Sequence, residues 1–98
     1  MILDDINRDQ AFVVAVLYKY YTEKVNAGST PEEANDFKDQ YSLQENYFCD
    51  KDLDEFLENS KVLWDKGYID GDWDGEKVDN IRISQKGFDA VDTNLLSN

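Results

Sequence analysis

The sequence predicts a mostly helical α+β domain, with three helices, a β-hairpin and a C-terminal helix in that order. Three observations carry this. Apolar residues recur with helical spacing in four stretches, each preceded by a side chain able to cap a helix. Between the last two stretches lie two short alternating segments joined through Asp74-Gly75, a hairpin signal. The chain has 98 residues, 41% of them hydrophobic, which suits one domain around one modest core.

The first helix spans Asn7 to about Ala27. Asn7 and Gln10 form a capping box, and Gly28 suits the left-handed site after the helix end. Ala11 to Tyr18 is apolar all round. Val13, Val14, Leu17, Tyr20 and Tyr21 share the side expected to face the core, whereas Phe12, Ala15 and Val16 point away. Two readings fit: a central helix covered by the others, or a homodimer contact burying Phe12 and Val16.

The second helix has the strongest start signal. Thr30-Pro31-Glu32-Glu33 supplies a capping hydroxyl, Pro at the first helical position and Glu three residues after the cap. Ala34, Phe37 and Tyr41 form one stripe, so the helix is expected to end near Tyr41. Ser42 to Cys49 receives no backbone assignment, with Leu43, Tyr47 and Phe48 expected in the core. The third helix starts at Asp50 or Asp52, and Asp52 with Glu55 makes another capping box. Its inner face carries Leu53, Phe56, Leu57, Ser60, Leu63 and Trp64. Lys66-Gly67-Tyr68 reads as a Schellman stop, with Tyr68 packed back on Leu63.

Tyr68 to Trp73 and Ile81 to Ile83 are the expected strands, joined by a two-residue turn at Asp74-Gly75 or by a longer loop. Ser84 caps the last helix, whose stripe is Phe88, Val91 and Leu95. Gly87 within it implies close approach to the hairpin.

Leu63-Trp64-Asp65-Lys66-Gly67-Tyr68-Ile69-Asp70-Gly71 resembles the end of a recognition helix turning into a wing. Ile81-Arg82-Ile83-Ser84-Gln85-Lys86-Gly87-Phe88 resembles a second wing strand entering a C-terminal helix. With the element order, these segments make the chain similar to the winged helix-turn-helix superfamily over about a quarter of its length. Only two arginines among many Asn, Asp and Lys residues resemble the composition of a low-GC bacterial or phage protein.

Composition excludes several chemistries. No histidine is present, so Ser-His-Asp and Cys-His catalysis and His-ligated metals are ruled out. One cysteine, Cys49, allows no internal disulfide, and the aspartates around it favour a packed, inert thiol. Asp70-Gly71-Asp72-Trp73-Asp74-Gly75 matches the opening of a calcium loop. The twelfth position, which needs a bidentate Glu, is Ile81, so no calcium site is expected. No catalytic residues, metal or cofactor are expected, and carboxylate pairs are too common for any to be singled out as acid and base. The longest apolar run is too short to cross a bilayer and the first residues lack a basic leader. A cytoplasmic protein is expected.

Charge points to function. There are 10 Lys and Arg against 22 Asp and Glu, a net −12 at pH 7. The outward face of the third helix carries Lys51, Asp54, Glu55, Glu58, Lys61, Val62 and Asp65, with Asp50 and Asp52 at its start. A helix entering the major groove must pass two rows of phosphates, which repel carboxylates. The expected function is therefore that of a small non-enzymatic regulatory or accessory protein. It would bind a basic protein surface through Asp54, Glu55, Glu58, Val62 and Asp65, a nucleic-acid mimic being one form of this. The alternative, implied by the family resemblance, is a transcription regulator touching DNA through Lys77, Arg82 and Lys86.

Overall fold

The computed structural model describes residues 5–92. The elements run α1 (Arg8–Asn26), α2 (Pro31–Ala34), α3 (Gln40–Tyr47), α4 (Leu53–Asp65), β1 (Ile69–Trp73), β2 (Val78–Ile83) and α5 (Gln85–Ala90). The expected class is found: a mostly helical α+β chain with one antiparallel hairpin and a C-terminal helix.

Local chemistry starts and stops most helices. Asn7 and Gln10 close a reciprocal capping box on α1, as do Thr30 and Glu33 on α2. Asp52 caps α4 by accepting from the Glu55 amide, and Ser84 caps α5 by accepting from the Gly87 amide. At the end of α4, Gly67 has φ +82° and the Tyr68 amide donates to the Leu63 carbonyl, the Schellman closure. Gly87 is required sterically. A Cβ there would lie 2.3 Å from the Tyr68 carbonyl oxygen.

The second helix departs from expectation. It ends after Ala34 instead of reaching Tyr41, because Asn35, Phe37, Lys38 and Gln40 hydrogen-bond to β2. The Asn35 side chain accepts from the Ile83 amide (2.7 Å) and donates to the Ile83 carbonyl (3.1 Å). Phe37 donates to the Ile81 carbonyl and Ile81 donates to the Lys38 carbonyl. The Gln40 side chain accepts from the Val78 amide (2.7 Å). The free edge of the hairpin is thereby covered. Lys38, at φ 61°, turns the chain, and Asp39 caps a new helix by accepting from the Ser42 amide. The segment Ser42 to Cys49 is thus mostly α3. Within it Leu43 and Phe48 are buried as expected, while Tyr41, expected on an apolar stripe, is exposed.

The hairpin loop is Asp74–Lys77, the longer of the two expected forms, closed by the Asp74 amide on the Lys77 carbonyl. β2 starts at Val78, before the expected Ile81, and bulges where Gly71 faces Asn80 and Ile81. Cys49, expected packed, is exposed in the turn between α3 and α4.

The core joins Val13, Val14 and Leu17 of α1 with Phe37, Leu43, Phe48, Phe56, Leu63, Ile69, Val78, Ile81 and Val91. Each large aliphatic or aromatic side chain so buried stabilises the fold by about 1.5–3 kcal/mol. Leu95 of the expected last stripe lies outside the described residues. Leu53, expected inside, is exposed at the first residue of α4.

Candidate interaction surface

α4 has two faces with different chemistry. Inward, Ser60 is fully buried. Its hydroxyl donates to the Phe56 carbonyl (2.7 Å) and accepts from the Gln40 amide nitrogen (2.7 Å), which also donates to the Leu57 carbonyl. Gln40 thus links α3, α4 and β2 through one buried amide. Outward, Asp54, Glu55, Glu58 and Asp65 are exposed, and Val62 is half-buried between them. The helix places these expected residues together on one surface. Acidic side chains at Asp54 and Glu55 also complement the positive end of the helix dipole, one reason α4 forms where it does.

The two lysines on this surface are drawn onto aromatic rings. Lys61 pairs with Asp65 at 3.2 Å and lies about 5 Å from the ring centroids of Trp64 and Trp73. The Trp64 indole N–H donates to the Gly71 carbonyl (2.9 Å), which locks the hairpin against α4. Trp73 is 46% exposed. On the opposite flank Lys51 lies 5.2 Å from the centroid of Phe12, which is 49% exposed and stands edge-on to Phe48.

Phe12 belongs to a cleft of about 240 Å³ where α1 meets the start of α4. Phe12, Val13 and Phe56 give it apolar walls, and Asp9, Asp50, Asp52 and Glu55 line it with carboxylates. Gln10 donates to Asn59 (3.2 Å) across the same junction and holds the two helices in place. The sequence reading missed this cleft, because its walls come from segments about forty residues apart. Val16, expected to point outward with Phe12, is half-buried and packs partly on the core.

The basic residues expected to act together are each held separately. Lys77 pairs with Asp74 at 3.3 Å, which raises the lysine pKa. The Asp74 carboxyl is in turn held below its ordinary value, chiefly by the Lys77 and Glu76 amides it accepts from. Arg82 donates to the Asn80 carbonyl, and Lys86 donates to the Lys66 carbonyl while pairing with Asp5 at 3.6 Å. Asp5 also accepts from the Tyr68 hydroxyl, the main cause of its lowered pKa.

Two aspartates of the calcium-like motif, Asp72 and Asp74, are likewise engaged elsewhere. Asp70 faces Arg82 across the hairpin, Asp72 accepts from the Asn80 amide group, and Asp74 closes the loop. Among the described residues no group of three or more acidic or cysteine side chains is placed to hold a metal, and no helix is long and apolar enough to cross a membrane. No protein-family model, curated protein or solved structure matches the chain.

Proposed function

We propose that this chain is a small non-enzymatic regulatory or accessory protein of winged-helix type that binds a basic protein surface through α4. The observation that carries this reading is the exposed row Asp54, Glu55, Glu58 and Asp65 around the half-buried Val62. An apolar side chain among exposed carboxylates, of which Asp65 alone is paired with a lysine among the described residues, suits a protein partner presenting Lys and Arg better than a phosphate backbone. A nucleic-acid mimic filling a basic cleft on its partner fits the same surface. Element order supports the winged-helix assignment: α1, α3 and α4 precede the hairpin, and only residues 48–52 separate α3 from α4.

Two measurements test the reading. Association with the partner should slow as salt rises, and a Glu55→Lys/Glu58→Lys variant should remain folded but lose the partner. Duplex DNA should bind more weakly than the ~10⁻⁴–10⁻⁶ M usual for non-specific DNA-binding proteins. Submicromolar binding to an operator in ~150 mM salt, lost on Arg82→Ala or Lys86→Ala, would replace this reading with a DNA-binding regulator.

A further inference from the structure

We infer that the cleft between α1 and the start of α4 receives a single arginine or lysine side chain from a protein partner, and that Lys51 stands in for that side chain in the free protein. The inference rests on the acidic-face reading and gives that face an anchor point.

The chain itself marks the cation position. Lys38, Lys61, Lys77 and Lys86 each form an ion pair, whereas Lys19, Lys24, Lys51 and Lys66 form none among the described residues, and of these Lys51 is the one that lines the cleft. Lys51 is flanked by Asp50 and Asp52, and its ammonium lies 5.2 Å from the centroid of Phe12. That separation lies within the range of cation–π attraction. A half-exposed phenyl ring inside a carboxylate-lined cleft attracts a cation through both its face and its surroundings. A guanidinium fits this arrangement better than the lysine now present. It is planar, so it stacks on the ring while its edge donates two parallel hydrogen bonds to a carboxylate such as Glu55. It is also less strongly hydrated than an ammonium, so leaving water costs it less.

Size and charge select the occupant. A cleft of about 240 Å³ is smaller than the ~300–1,000 Å³ sites that take whole ligands, and it suits one long side chain. A second copy of this chain would bring its own excess of carboxylates against Asp9, Asp50, Asp52 and Glu55, so like-charge repulsion opposes self-association there. The occupant is therefore a basic segment of another protein. Its arginine displaces Lys51 from Phe12 on arrival.

The probe is a short amidated peptide with one arginine between leucines, titrated into ¹⁵N-labelled protein in ~150 mM salt. Saturable shifts should be confined to the amides around Phe12, Lys51 and Glu55. Replacing arginine by citrulline, its neutral near-isostere, should weaken binding at least about tenfold. Phe12→Ala should weaken it by about tenfold, and Lys51→Ala should tighten it severalfold by vacating the ring. Glu32→Gln, away from the cleft, should change nothing. If Phe12→Ala does not fold, the citrulline peptide and Lys51→Ala decide alone. Equal binding of the citrulline peptide, weaker binding by Lys51→Ala, or shifts spread over acidic residues everywhere would overturn the inference. So would a concentration-dependent dimer abolished by Phe12→Ala, which would assign the cleft to self-association. A natural partner lost with Glu58→Lys but held unchanged by Phe12→Ala and Lys51→Ala would remove the cleft while leaving the acidic-face reading intact.

Discussion

Ser60 and Glu58 stand two residues apart on α4 and answer to opposite requirements. On the inner side the Ser60 hydroxyl, both ends of the Gln40 amide and the Val78 amide hydrogen satisfy one another in a closed network. On the outer side the carboxylates face water, with only Asp65 in an ion pair among the described residues. Buried polar groups must be partnered because an unmade hydrogen bond there costs about 1–3 kcal/mol, whereas an exposed carboxylate is satisfied by solvent. The inner side therefore specifies how α3, α4 and β2 meet. The outer side is free to vary without disturbing the fold, which is the freedom an interaction surface needs.

The largest effect expected from breaking this contrast comes from Gln40→Leu. It leaves the Val78 amide and the Ser60 hydroxyl without the partner they share, at similar side-chain volume. Stability should fall by about 3 kcal/mol, read as a lower urea midpoint at unchanged slope. A loss below about 1 kcal/mol would show that the network does not organise the core. Trp64→Phe probes the margin between the two faces. It keeps an aromatic ring but drops the hydrogen bond to Gly71, so about 1 kcal/mol should be lost, or roughly 4–8 °C in Tm for a domain of this size.

On the outer face, Glu55→Lys/Glu58→Lys should change stability by no more than about 1 kcal/mol, the lost attraction of Glu55 to the helix dipole included, while abolishing partner association. Unfolding of that variant would mean that the acidic face has a structural role. The smallest effect is pH-dependent. Asp74, at the exposed hairpin loop, is held below its ordinary pKa of 3.8, chiefly by the Lys77 and Glu76 amides. A carboxyl with a lowered folded-state pKa adds stability above its unfolded value and loses it as pH falls through the folded one. Asp74→Asn should therefore lower Tm slightly at pH 6, and the difference should shrink as pH falls below about 4. The Gln40→Leu deficit, which involves no titrating group, should be the same at both pH values.

What could be read along the chain was the chemistry that acts over three or four residues. Asn7, Thr30, Asp52 and Ser84 cap helices because each side chain reaches an amide three positions ahead, and Gly67 stops α4 by its own backbone freedom. The acidic outer face of α4 was legible for the same reason, since helical periodicity alone places Asp54, Glu58 and Asp65 together. Tertiary structure decided residues 35–47. A helical stripe through Ala34, Phe37 and Tyr41 competes there with the hydrogen bonds that Asn35, Phe37, Lys38 and Gln40 make to β2, about forty residues later. The hairpin edge wins because its amides and carbonyls, once buried, must be paired, and this segment pairs them. Tertiary structure likewise created the cleft, where Phe12 of α1 meets Lys51 before α4. Neither residue announces that meeting in the sequence, because packing of the two helices, held by Gln10 and Asn59, is what brings the ring under the lysine.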